Sequence, residues 1–256
     1  MDGHDSLCST HRMTSNIHFS LSASQPSTVG CIGNSDVLRD LDPKLASAQC
    51  DLIEIRLDLL DEASIDSSVW QKFSPTPLLF TARRASEGGS GDLDAKARRH
   101  LLELALGDAA CFDIELASIH EMTGLIEQIV YAKIPWLASL HDFSGVPSRA
   151  RLESARDEAR AAGAVAFKAA VTLKWATDSI PELTRFLQES DGFPTALMGM
   201  GPLAPSSRLL FAQLGSILNY GYLGVTPTAP GQWSAAQLRH AIQSCEIHPA
   251  PAHPSA

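Results

Sequence analysis

What most constrains this chain is a repeated change of rhythm. Short apolar runs that suit a strand alternate with longer segments whose apolar residues recur at helical spacing. The runs are TVGCIG (28–33), DLIEIRLD (51–58), PLLFTAR (77–83), CFDIEL (111–116), PWLASLH (135–141), AVAFKAAV (164–171), PTALMGM (194–200) and NYGYL (219–223). Helix-period segments between them include 94–106, 148–163, 177–190, 206–218 and 234–243, with Gly163, Gly192, Pro194 and Gly231 at the joins. Strand–helix alternation predicts a parallel sheet. Eight repeats in 256 residues favour an α/β fold of one kind, a single closed (β/α)8 TIM barrel, over an open doubly wound sheet. The first strand is followed by CIGNSD rather than G-x-G-x-x-G, which argues against a dinucleotide site.

The barrel is expected over residues 27–245. Residues 1–26 are polar, rich in Ser and His, and 246–256 are rich in Pro. Both read as short, disordered-looking tails. His4, His11, His18, His248 and His253 fall in or near them, and solvated tails explain these better than a metal site.

A formal charge of −9 gives no support for a nucleic-acid or anionic-membrane surface, though a local arginine cluster can still hold a small anion. The five cysteines are scattered, with no C-x-x-C pair, so neither a disulfide framework nor a structural zinc site is expected. No apolar run approaches a membrane span, and the first residues show no basic-then-apolar signal pattern. A cytoplasmic location is the expectation.

Side chains along a strand alternate between its faces. Glu54 and Arg56 therefore lie opposite Ile53 and Ile55, and Asp113 and Glu115 lie opposite Phe112 and Ile114. Thr81 shares a face with Arg83, Ser139 with His141, and Lys168 with Ala166 and Ala170. The face towards the barrel's helices must be apolar. The charged set then points inward near the carboxyl ends of its strands, where barrel active sites are built. A buried ion-pair network of this size is costly, so a polar ligand is the better explanation.

The ordered motifs carry a family resemblance. They are E-I-R-x-D at Glu54–Asp58, F-T-x-R-x-x-x-E-G-G at Phe80–Gly89, D-I-E at Asp113–Glu115, S-x-H-D-F-S-G-x-P at Ser139–Pro147, F-K-A around Lys168, M-G-M-G…S-R at Met198–Arg208, and A-P-G-Q at Ala229–Gln232. From about residue 28 to 243 the chain resembles the type I 3-dehydroquinate dehydratases, Schiff-base enzymes of the shikimate pathway and aromatic amino acid biosynthesis.

The resemblance implies a lyase that converts 3-dehydroquinate to 3-dehydroshikimate. Lys168 would form a covalent imine with the substrate ketone, with no cofactor and no metal. An imine is an electron sink for the carbanion at C2. A neutral amine would be favoured among alanines by desolvation and by cations such as Arg83. His141 would be the general acid/base, suited by a titration near neutrality, and Glu87 would orient it. Glu54, Arg56, Arg83, Arg208, Thr228 and Gln232 would hold the substrate. Met198 and Met200 would wall its ring, and Asp113 and Glu115 would support the arginines from behind. Arg208 falls in the first turn of the helix expected at 206–218, capped by Ser206 or Ser207, where an anion is welcome. The loop Val225–Trp233 would close over the substrate, with Gly231 letting the backbone approach. Partners beyond the small-molecule substrate are not implied, apart from a second copy in a homodimer.

Three rival readings share parts of this pattern. One is a Schiff-base aldolase or transaldolase barrel. Another is a metal-dependent barrel with Glu54, Asp113, Glu115 and His141 as ligands. The last is a binding barrel without turnover. The E-I-R-x-D and A-P-G-Q motifs, the interleaved arginines and the Lys168–His141 pair weigh against them in turn.

Overall fold

The computed structural model describes residues 21–174, 176–225, 227 and 231–245. Its strands are β1 (Ser27–Ile32), β2 (Leu52–Arg56), β3 (Leu78–Thr81), β4 (Cys111–Glu115), β5 (Trp136–Asp142), β6 (Ala166–Thr172), β7 (Thr195–Met200) and β8 (Leu218–Tyr222). The helices are α1 (Ser35–Asp40), α2 (Pro43–Gln49), α3 (Ser67–Trp70), α4 (Ala95–Leu104), α5 (Thr123–Tyr131), α6 (Arg149–Ala161), α7 (Ala176–Gln188), α8 (Ala204–Gln213) and α9 (Ala235–Gln243).

All strand pairs of the sheet are parallel, in the order β7-β6-β5-β4-β3-β2-β1-β8. The remaining seam, β7 to β8, is bridged by fewer bonds. Ile217 N donates to the Thr195 carbonyl at 3.2 Å. Leu197 N donates to Ser216 Oγ at 2.9 Å, and that hydroxyl is 3.2 Å from the Leu197 carbonyl. The chain is thus a nearly closed (β/α)8 TIM barrel, as its alternation predicts.

Helix starts follow local chemistry. Asn34, Asp42, Asp66, Asp94, Ser148 and Ser234 cap α1, α2, α3, α4, α6 and α9 by accepting backbone N–H groups of the first turn. Each such cap contributes about 1 kcal/mol. After α6 the chain turns at Gly163, whose φ of 84° suits a residue without Cβ.

Two apolar layers result from the alternation along the strands. Ile53, Ile55, Phe80, Phe112, Ile114, Phe167 and Leu197 face the helices and are buried among Leu38, Trp70, Leu102, Leu125 and Phe211. Each large side chain so buried contributes about 1.5–3 kcal/mol. Val29, Leu52, Leu79, Leu137, Ala166, Ala196 and Leu218 fill the barrel interior. Leu21 packs on that interior cluster, and Ser22 and Gln25 form an antiparallel bridge, so residues 21–26 of the expected tail are part of the folded body. Residues 1–20 and 246–256, the rest of the expected tails, lie outside the described residues. Among the described residues no helix is long and apolar enough to cross a membrane.

The expected helix at 206–218 is corrected. Helix α8 begins at Ala204, its N-cap position Leu203 makes no side-chain cap bond, and the helix ends at Gln213. Ser207 Oγ instead bonds back to the Ala204 carbonyl at 3.2 Å. Arg208 is therefore past the first turn, and the helix-dipole argument for it does not hold.

Candidate active site

The carboxyl ends of β2 to β6, with β7, β8 and α8, bring the predicted polar residues together. Glu54 on β2 accepts a 2.8 Å hydrogen bond from Thr81 Oγ1. Arg56, at the end of the same strand, forms a fork with Asp58 (Nε–Oδ1 2.9 Å, Nη2–Oδ2 2.7 Å) and donates to the Gly88 carbonyl at 3.1 Å. Arg83, just beyond β3, makes a second fork with Asp113 (3.1 and 2.9 Å) and donates to Ser139 Oγ at 2.6 Å. Such planar, doubled contacts are what a guanidinium supplies and an ammonium cannot.

Lys168 lies mid-way along β6 with its side chain 4% exposed. Its Nζ is 2.7 Å from Asp113 Oδ2 and 3.7 Å from Glu54 Oε1, and it sits 4.0 Å from the centre of the Tyr220 ring. Two expectations change here. The charges in contact with the amine are carboxylates, and Arg83 is engaged with Asp113. Asp113 itself, expected behind the arginines, touches the amine. Burial opposes ionisation of Asp113, but Arg83 and Lys168 hold its carboxyl well below the usual range.

His141 ends the inward face of β5. Glu87 Oε2 is 3.0 Å from its Nδ1 and accepts its backbone N–H at 3.0 Å. Burial, with the positive charges of Arg83 and Lys168, pushes the imidazole well below its ordinary value, although Asp113 opposes this. Burial and the charge of Glu115 push the Glu87 carboxyl up to about 7. Glu87 is held in a turn that requires glycine. Gly88 has φ 85°, and a Cβ on Gly89 would lie 1.9 Å from the Arg83 carbonyl oxygen.

Glu115 accepts the Arg84 backbone N–H at 3.0 Å, and it lies 3.4 Å from Arg83 and 3.2 Å from Arg98. Arg98, on α4, also donates to Glu121 at 3.0 Å and Ser118 at 3.2 Å. Arg98 belongs to none of the sequence motifs. Its signal is present, since Ala95, Arg98 and Leu102 share one helical stripe and an arginine there must be buried.

Arg208 is 3% exposed and donates to the Gly199 carbonyl at 3.2 Å and the Tyr220 carbonyl at 2.5 Å. It has no carboxylate partner among the described residues, and burial pulls it down to about 10. A buried cation without a counterion suits an anionic ligand. Met198 and Met200 are buried on β7 in the interior cluster. Gln232 is buried, and its Nε2 lies 3.6 Å from Cys31 Sγ. Gly231 has φ 72°, and a Cβ there would meet the Gly201 carbonyl at 2.7 Å, so it packs against the chain's own backbone. Thr228 lies outside the described residues. Among the described residues no group of three or more His, Cys, Asp and Glu side chains could hold a metal ion.

An eight-stranded parallel barrel with acids, arginines, a histidine and a lysine at the carboxyl ends of its strands is the architecture of a barrel enzyme. The comparisons with known proteins identify which one. The family model for type I 3-dehydroquinase matches residues 33–249. A 3-dehydroquinate dehydratase of Methanothrix thermoacetophila is 38% identical over 198 residues, 77% of this chain and 83% of its own. A bifunctional chloroplastic 3-dehydroquinate dehydratase/shikimate dehydrogenase of Arabidopsis thaliana is 33% identical over 188 residues, 71% of this chain and 30% of that longer protein. The solved 3-dehydroquinate dehydratase of Enterococcus faecalis superposes with a TM-score of 0.73 at 26% identity, over 87% of this chain and 95% of that one. The chain belongs to the type I 3-dehydroquinase family, and its activity is the dehydration of 3-dehydroquinate, a step of the shikimate pathway.

Proposed function

We propose that the dehydration proceeds through an imine on Lys168, with His141 as general acid/base. The Lys168 nitrogen adds to the C3 ketone and one water is released. The resulting iminium withdraws electrons from C2, so His141 can take a C2 proton and leave an enamine. The enamine expels the C1 hydroxyl, which takes a proton from His141 and departs as water. Hydrolysis of the remaining imine consumes the first water, so the net products are 3-dehydroshikimate and one water. Glu87 engages Nδ1, which leaves Nε2 as the ring nitrogen for these transfers. Arg208 and Gln232, with Thr228, would grip the substrate carboxylate. Arg83, Arg56 and Glu54 would set its hydroxyls, and Met198 and Met200 its ring. No dissociable cofactor takes part, so turnover should survive a chelator.

The observation that carries this reading is the buried Lys168 amine, 2.7 Å from Asp113, on the strand that pairs with the one bearing His141. Borohydride added with 3-dehydroquinate should trap an adduct on Lys168 that Lys168→Ala lacks. His141→Ala should still form the adduct yet scarcely release product. An adduct elsewhere, or none despite turnover, defeats the proposal. A cytoplasmic location and a homodimer complete it, and cell fractionation and sedimentation test those two points.

A further inference from the structure

Tyr220 packs against the Lys168 amine and has no task in the mechanism above. It stands on β8, opposite Val29 of β1, with its side chain in the barrel interior. Lys168 Nζ lies over its ring, 4.0 Å from the centroid. The Tyr220 hydroxyl is buried and has no hydrogen-bond partner among the described residues. A buried hydroxyl left unbonded costs stability. What meets the amine is the ring face.

The other two contacts of the amine differ in kind. Asp113 accepts an N–H of the amine at 2.7 Å, whereas Glu54, at 3.7 Å, acts through its charge alone, and each is committed elsewhere, Asp113 to Arg83 and Ser139, Glu54 to Thr81. An ammonium has three N–H bonds, whereas an iminium keeps one. Condensation with the ketone therefore leaves a single N–H, which holds a carboxylate only where it points at Asp113. A ring face needs no N–H and attracts positive charge in either bonding state. We propose that the π face of Tyr220 is a positioning element that holds the Lys168 nitrogen in its two cationic forms, the ammonium and the iminium. This rests on the imine reading.

The test uses the full chain with Tyr220→Phe, Tyr220→Leu, and phenylalanines bearing one, two or three ring fluorines at the same place. Fluorine drains the π face while nearly preserving shape. Tyr220→Leu should lose about tenfold or more in kcat and in the rate of borohydride trapping while KM moves by less than about threefold. Tyr220→Phe should recover most of that loss, and each added fluorine should lower the rate a further step. Rates indifferent to fluorination, or a Phe variant as slow as the Leu variant, overturn the proposal. Should the Leu variant not fold, the fluorinated series decides alone. A wild-type protein that traps no adduct on Lys168 instead defeats the imine reading and takes this inference with it.

Discussion

Asp113 Oδ2 lies 2.7 Å from Lys168 Nζ and 2.9 Å from Arg83 Nη2, so one carboxylate oxygen joins the lysine strand to the arginine turn. Ser139 Oγ, 2.5 Å from the other oxygen, completes its bonding. This carboxylate is the nearest counter-charge of two buried cations, and removing it leaves Arg83 only Glu115 at 3.4 Å and Lys168 only Glu54 at 3.7 Å. Asp113→Asn is expected to lower the unfolding free energy by about 3–5 kcal/mol and to slow imine trapping. Urea unfolding checks the first part. A midpoint equal to that of wild type would show that the cluster contributes no net stability.

Glu87 and His141 titrate as a pair, and the raised carboxyl takes the proton first as pH falls. Protonation of Glu87 removes the negative charge that holds Nδ1–H and supports a positive imidazole, so kcat should rise with pH through an apparent value of about 7. Glu87→Gln should remove that limb and lower the plateau at least ~10-fold. The sign for stability follows from the raised value. The contribution of Glu87 is full below its ordinary 4.5 and is lost as pH rises through about 7. The Gln variant should lack that slope. A limb near 7 that persists in Glu87→Gln assigns it to another group.

Arg208 is a buried guanidinium paired with carbonyls alone among the described residues. Arg208→Met should cut kcat/KM for 3-dehydroquinate by about 30-fold or more, some 2 kcal/mol. The methyl ester of the substrate, which lacks the charge, should be turned over comparably by both proteins. An equal penalty on acid and ester would remove the carboxylate from the contacts of Arg208.

Gly89 and Gly91 make an internal control. A Cβ on Gly89 would meet the Arg83 carbonyl oxygen at 1.9 Å, whereas one on Gly91 would meet nothing within 4 Å. Gly89→Ala should cost about 2–4 kcal/mol and impair turnover by displacing Glu87. Gly91→Ala should melt with wild type. Identical melting of the two variants would sink the claim that this turn holds Glu87 in place.

The barrel was legible because burial acts on every residue of a strand. Glu54 and Arg56 alternate with Ile53 and Ile55, and that pattern fixes which face meets the helices. The start of α8 was not legible, because two serines suggest a cap while packing of Gly199 against Ser207 sets where the helix lies. A Cβ at Gly199 would fall 2.1 Å from Ser207 Oγ.

Sequence alone determined the parallel barrel and the faces that carry Lys168, His141 and the acids, since both follow from local periodicity and from the refusal of apolar surface to face water. Only the tertiary structure decided who touches whom. Strand pairing placed Asp113 rather than Arg83 on the lysine amine, left Arg208 without a carboxylate among the described residues, turned Tyr220 beneath the nitrogen, and tied Arg98 to Glu115. The reason is range. Alternation is written into neighbours along the chain, whereas ion pairs form between residues such as Asp113 and Lys168, 55 positions apart, and their partners are chosen by the register and shear of the closed sheet.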